Sequence, residues 1–215
     1  VTQAIFERVA WVAAPLKSFI IILIKTILVF GGSFNPPTLA HQAIITACLA
    51  LPKFDEVWVM PSGNRADKAI SVSDDDRLQM LKIVKSESFA NTPRLKVSDF
   101  ELKLPRPTRL HRTVTELAKT YPHTTFWFAF GGDAYKSMAL WYAADDFIKT
   151  LKIVVFTEND VPEAKTGNAI HLNIPKPFQQ MSSTQVRQAF AAGTPVAANW
   201  VAPAVRKYIA AHRLY

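Results

Sequence analysis

The residues Thr26-Ile27-Leu28-Val29-Phe30 form an unbroken β-favouring apolar run, and Gly31-Gly32 follows it directly. A strand without polar alternation has no face to offer water, so it belongs inside a parallel sheet covered on both sides. Glycines at its end permit a tight turn into a helix and let backbone N–H groups approach a bound phosphate. Taken alone, the feature leaves two readings open: a tight strand-to-helix turn, or an anion-binding loop. Its spacing fits neither G-x-G-x-x-G nor a P-loop, so the common dinucleotide and Walker readings both fail.

The alternation set up by this run continues along the chain. A helix is expected over residues 40–51, stopped by Pro52, and a second strand over 56–60, closed by Pro61-Ser62-Gly63. Ser73-Asp74-Asp75-Asp76 supplies a capping residue and first-turn acids for a helix over 74–85. A short strand follows at 95–97, then a proline- and arginine-containing loop over 99–110 and a helix over 112–120. Residues 125–130 form a third long strand, ended by Gly131-Gly132-Asp133 and followed by a helix over 134–140. Strands at 151–156 and 169–173 and helices at 183–192 and 202–211 complete the pattern. Strands alternating with helices give an α/β fold with a parallel sheet. Residues 1–17 read as a helix ended by Ala14-Pro15, so residues 1–24 are set aside as an N-terminal extension and 25–215 as a single domain.

Composition narrows the partners. The net charge of +8 and pI near 9.6 favour anions, but the basic residues are scattered, which favours nucleotides and phosphates over nucleic acid. Cys48 is alone, so no internal disulfide or cysteine-rich zinc site forms, and a reducing cytoplasm suits the chain. The apolar run near residues 19–30 is interrupted by Lys25, too short to span a bilayer, and leads into the glycine loop without a small-residue cleavage site. Neither membrane nor secretion is expected. Nothing in the pattern sets an oligomeric state.

The specific signal lies in two distant segments. Gly31-Gly32-Ser33-Phe34-Asn35-Pro36-Pro37-Thr38-Leu39-Ala40-His41 resembles the opening signature of the HxGH nucleotidyltransferase superfamily. Met181-Ser182-Ser183-Thr184-Gln185-Val186-Arg187 resembles its second signature, ISSTxIR. Within that superfamily the chain is most similar to nicotinate-nucleotide adenylyltransferases: Phe130-Gly131-Gly132-Asp133 resembles their strand ending in G-x-D, Trp141 follows where they keep a tryptophan, and residues 201–215 resemble their last helix. The resemblance covers about residues 25–215. It implies a Rossmann-like doubly wound parallel sheet and joining of ATP to nicotinate mononucleotide, giving deamido-NAD and pyrophosphate.

In-line adenylyl transfer needs no covalent intermediate, so catalysis rests on positioning and on neutralising phosphate charge. The resemblance assigns His41, Thr38 and Arg187 to catalysis. His41 would donate to an α- or β-phosphate oxygen; otherwise it is a capping or buried histidine. Arg187 would reach the leaving pyrophosphate; otherwise it is a surface arginine in a salt bridge. Gly31, Gly32, Ser33, Phe34, Asp133, Ser183 and Thr184 are assigned to the nucleotide. Ser183 and Thr184 open a helix, where they serve as anion donors, as N-caps, or as both. Asp133 would accept from a ribose or an adenine amine, or would cap the next helix. Mg²⁺ is expected to bridge the triphosphate with few protein ligands.

Two departures bear on this assignment. Thr38 replaces the first histidine of HxGH, as in TxGH enzymes such as phosphopantetheine adenylyltransferase, and Ala40 replaces its glycine. The acceptor half differs further, retaining Lys68 from the family's P-P-H-K stretch and Thr113 from its S-Y-T-x-x-T stretch. Arg109, His111 and Arg112 suit an anionic acceptor or a solvated basic loop. The expected acceptor-side residues are therefore Lys68, Arg109, Thr113 and Trp141. Alternative outcomes are the same chemistry on nicotinamide mononucleotide, on phosphopantetheine or, with CTP, on an alcohol phosphate, and a nucleotide-binding regulator without turnover.

Overall fold

The computed structural model describes residues 9–11, 21–63, 70, 72–136, 150–157, 169–194 and 200–215. Six parallel strands make the central sheet: β3 (Lys25–Gly32), β4 (Glu56–Pro61), β5 (Leu95–Val97), β6 (Thr124–Gly131), β7 (Ile153–Thr157) and β8 (Ala169–Asn173). Their spatial order is β5-β4-β3-β6-β7-β8. The chain first winds outward from β3 to β5, then crosses back to β6 and winds the other way. This is the doubly wound Rossmann order, and it leaves a crevice where the direction reverses, between β3 and β6.

The alternating geometry of strands explains the two cores. On one face Leu28 and Phe30 of β3 join Val57, Val59, Ala129 and Phe156. On the other, Ile27 and Val29 join Trp58, Met60, Phe128 and Val155. Residues 26–30 are buried throughout, as their unbroken apolar character requires. Each fully buried Val, Leu, Ile or Phe contributes about 1.5–3 kcal/mol relative to exposure, so this strand anchors the domain. Register places Val29 between Trp58 and Phe128, locking the centre of the sheet.

Among the described residues the α-helices are α1 (Leu39–Leu49), α2 (Asp74–Ser88), α3 (Leu110–Thr120), α4 (Gly132–Lys136), α5 (Ser183–Ala191) and α6 (Pro203–Ala211). A third core, made by Val72, Met80, Val84, Val186, Val205 and Ile209, joins α2, α5 and α6. That small core matters for function because it carries the C-terminal helices to the end of β3. Cys48 is fully buried on α1, as expected, and burial pushes its thiol well above the ordinary range.

The N-terminal segment differs from the expectation. Val9–Trp11 is a strand, β1, paired antiparallel with β2 (Ile21–Leu23), where a helix was expected over residues 1–17. Val9, Trp11, Ile21 and Ile22 are residue types with high strand propensity, and a partner about a dozen residues away is invisible to local helical periodicity. The helix expected over 134–140 begins at Gly132 and is described through Lys136; residues 137–140 lie outside the described residues. Among the described residues no helix is long and apolar enough to cross a membrane.

Candidate active site

The loop after β3 enters the crevice between β3 and β6. At Gly32 a Cβ would sit 3.2 Å from the Phe34 ring, a tight contact that a side chain there could make only if the ring shifted by a few tenths of an ångström; at Gly31 nothing lies within 4 Å. Phe34 takes a left-handed backbone conformation, φ 45°, which is uncommon for a bulky residue. Its ring is buried, edge-on to Phe30 at 5.4 Å and to His41 at 5.0 Å between centroids. Phe34 therefore anchors the loop from below. Its side chain is taken up in the core.

Thr38 is the N-cap of α1 and His41 is the third residue of that helix, and the two close a reciprocal capping box. The Thr38 N–H donates to His41 Nδ1 at 2.9 Å, and the Thr38 hydroxyl lies 2.8 Å from the same nitrogen. A backbone N–H can only donate, so Nδ1 is unprotonated and the neutral ring carries its proton on Nε2. Burial pushes the imidazole down to about 4, in keeping with that neutral tautomer. Thr38 is itself fully buried. Its hydroxyl is spent on His41 and the helix end, so the structure places Thr38 behind the histidine. Ala40 is accommodated as a buried residue of α1.

The second signature meets this loop directly. Ser182 is the N-cap of α5, in a capping box with Gln185, which leaves Ser183 and Thr184 as the first two helical residues. The backbone N–H groups of such residues have no intrahelical partner. The Ser183 hydroxyl donates to the Pro36 carbonyl at 2.8 Å. Arg187 donates to the Asn35 carbonyl at 2.8 Å and to the Thr184 hydroxyl at 3.2 Å. Residues about 150 positions apart are thus bonded into one surface. The chain's last segment joins them: Leu39 N–H donates to the Trp200 carbonyl at 2.9 Å, and the Tyr215 hydroxyl donates to Asn35 Oδ1.

A residue that the sequence did not single out holds the underside. Arg77 of α2 has no exposed surface and donates to the carbonyls of Ser33 and Ser62, each at 2.8 Å, and to Asp74 Oδ1 at 2.6 Å. The other oxygen of Asp74 pairs with Arg106. On the same helix Asp76 accepts from the Tyr208 hydroxyl at 2.8 Å; burial, then that carboxylate, push the phenol up to about 12.

The loops expected to take the acceptor meet at Gly63, where a Cβ would fall 2.5 Å from Thr108 Oγ1. The Gly63 N–H donates to Glu101 Oε1 at 3.2 Å. Beyond this contact an open cavity of about 570 Å³ is lined by Arg106, Arg109, His111, Arg112 and Glu116, so the basic loop does border a concave surface. Thr113 is buried on α3 and its hydroxyl lies 3.4 Å from the Arg109 carbonyl, away from that cavity wall. Lys68, Trp141 and the side chain of Asp133 lie outside the described residues. Among the described residues no group of three His, Cys, Asp or Glu side chains is placed to hold a metal ion.

Comparison with known proteins gives the family. The cytidylyltransferase-like family model matches residues 29–189. The protein named "probable nicotinate-nucleotide adenylyltransferase" of Bacteroides thetaiotaomicron is 34% identical over 75% of this chain and 79% of its own. Its namesake in Shouchella clausii is 32% identical over 89% of this chain and 97% of its own. Among solved structures, the Plasmodium falciparum nicotinic acid mononucleotide adenylyltransferase complexed with NaAD superposes with a TM-score of 0.79. It is 23% identical and covers 89% of this chain and 97% of its own, which confirms the fold. The chain belongs to the cytidylyltransferase-like family and, within it, to the nicotinate-nucleotide adenylyltransferases.

Proposed function

We propose that this chain transfers the adenylyl group of ATP to the phosphate of nicotinate mononucleotide, releasing pyrophosphate and deamido-NAD. The observation that carries this reading is the bonding of the second signature onto the first, Ser183 to Pro36 and Arg187 to Asn35, around a neutral His41. An acceptor phosphate oxygen attacks the α-phosphorus; the bond from that phosphorus to the bridging oxygen breaks, and the electron pair leaves with pyrophosphate. No enzyme nucleophile is required.

Each group has a task fitted to its surroundings. His41, with Nδ1 filled by Thr38, offers its Nε2–H to an α- or β-phosphate oxygen as a preorganised donor. Thr38 acts as a positioning residue that fixes the tautomer. The free amides at the start of α5 and the Arg187 guanidinium oppose charge growing on the leaving pyrophosphate. Gly31, Gly32, Ser33 and Phe34 contribute backbone to the nucleotide cradle, and Ser183 and Thr184 contribute the helix end. Asp133 is assigned to the nucleoside, and Lys68, Arg109, Thr113 and Trp141 to the acceptor side. Within that set Thr113 acts by shaping α3. Mg²⁺ enters with the triphosphate as part of the substrate. Residues 25–215 serve this one activity as a single domain.

The test is pyrophosphate release from ATP and Mg²⁺ with nicotinate mononucleotide, nicotinamide mononucleotide and phosphopantetheine offered in parallel. Fastest turnover is expected with nicotinate mononucleotide. Preference for another acceptor would reassign the substrate and keep the chemistry, whereas ATP binding without release from any acceptor would end the enzymatic reading.

A further inference from the structure

A fully buried arginine is rare unless its donors are matched, because the desolvated charge must be compensated. Arg77 meets that condition at its two terminal nitrogens, which join three separate segments: the Ser33 carbonyl after β3, the Ser62 carbonyl after β4, and Asp74 at the start of α2. Its Nε is buried without a partner among the described residues. Asp74 extends the chain of contacts to Arg106 in the acceptor-side loop. One guanidinium and one carboxylate therefore connect both halves of the crevice.

Peptide geometry gives this connection a consequence. In a trans peptide the carbonyl and the following N–H point to opposite sides, and the bonds after Ser33 and Ser62 are trans. With the Ser62 carbonyl turned to Arg77, the Gly63 N–H faces the other way, where it meets Glu101. With the Ser33 carbonyl turned to Arg77, the Phe34 N–H likewise faces away from the arginine. That N–H finds no acceptor among the described residues, while the Phe34 ring is locked beneath the loop.

We propose that Arg77 is a positioning residue for the transfer reaction: it presets the Phe34 amide as a donor to a bound phosphate and, through Asp74 and Arg106, ties the nucleotide loop to the acceptor-side loop. The second half rests on the adenylyl-transfer reading. The first half stands on phosphate binding alone. Arg77→Lys keeps the charge, but one ammonium cannot span two carbonyls and a carboxylate as the planar fork does.

In Arg77→Lys the KM for ATP is expected to rise about tenfold or more, with kcat falling less, while the thermal midpoint reports whether the chain is folded. Asp74→Asn, at a partly exposed site, is expected to raise KM for ATP and for nicotinate mononucleotide by roughly two- to fivefold. Arg106→Ala is expected to raise only the acceptor KM. In protein labelled with ¹⁵N-phenylalanine, the Phe34 amide resonance is expected to move on addition of ATP in the natural chain and to stay in place in Arg77→Lys. A folded Arg77→Lys whose ATP KM stays within about twofold of the natural chain overturns the proposal. Should that variant fail to fold, an unchanged ATP KM in Asp74→Asn overturns it instead. If the natural chain releases no pyrophosphate yet the Phe34 amide still responds to ATP, the adenylyl-transfer reading fails and the role of Arg77 at the loop survives.

Discussion

On the nucleotide side of the crevice three loop carbonyls are claimed by residues from far along the chain: Ser33 by Arg77, Asn35 by Arg187, Pro36 by Ser183. On the acceptor side the supports among the described residues include the Gly63 contact with Thr108, the bond from Gly63 to Glu101, the ion pair of Arg106 with Asp74, and the bond from Arg112 to the Pro105 carbonyl, most of them to side chains. Beyond those points Arg109, His111 and Arg112 stand exposed around an open cavity. The two halves answer different demands. In-line transfer tolerates little misplacement of phosphate donors, so their supports are over-determined. Choice of acceptor is a matter of loop surface, where side chains vary without disturbing the sheet.

The largest expected break in this comparison is His41→Ala. Loss of a preorganised donor is expected to lower kcat by roughly 10²-fold or more, with a smaller change in either KM. Steady-state pyrophosphate release, with the thermal midpoint as a check on folding, measures it. Turnover within a few-fold of the natural chain would move His41 from chemistry to structure, and the nucleotide side would lose its claim to be the rigid half.

The acceptor side is expected to respond differently. Replacing Arg109 and Arg112 together by alanine is expected to raise the KM for nicotinate mononucleotide about three- to tenfold while leaving the KM for ATP nearly unchanged. Both are solvent-exposed, so their attraction for an anion is screened, and raising ionic strength is expected to mimic part of the effect in the natural chain. An equal rise in both KM values would show that the two halves are not separable.

How much of this was legible in the sequence follows the same division. The strands could be read because they are continuous apolar runs closed by glycine or proline, a local signal that burial on both faces enforces. The two signatures could be paired because each keeps its residue types in order. The true N-cap was legible too: Ser182 is followed three residues later by Gln185, the spacing of a capping box, whereas attention fell on Ser183 and Thr184. Thr38 and His41 share that spacing, which foretells their mutual bond better than a phosphate contact for threonine. Arg77 left no such mark. A lone arginine on a charged helix reads as solvated, and its partners lie 44 and 15 residues away, so only the assembled fold reveals that it is buried. The strand Val9–Trp11 was missed for the same reason, since pairing is not a local property.

The smallest expected effect concerns pH, and it probes the support of the rigid half. Burial holds the folded His41 imidazole near 4, below its ordinary 6.5. Between those values the unfolded chain binds a proton that the folded chain excludes, so stability rises with pH across the window. His41's contribution is complete above the unfolded value and is lost as pH falls toward the folded one. One proton gives a slope of at most about 1.4 kcal/mol per pH unit. His41→Gln retains a side-chain acceptor for the Thr38 N–H at the position where capping boxes favour Gln, yet does not titrate. Urea midpoints of both proteins at pH 5, 6 and 7 isolate the difference. The natural chain is expected to lose more stability on acidification than the variant, with the gap opening below about pH 6.5. Parallel losses would mean that His41 titrates as an exposed imidazole does, and that Thr38 does not hold its Nδ1 as an acceptor.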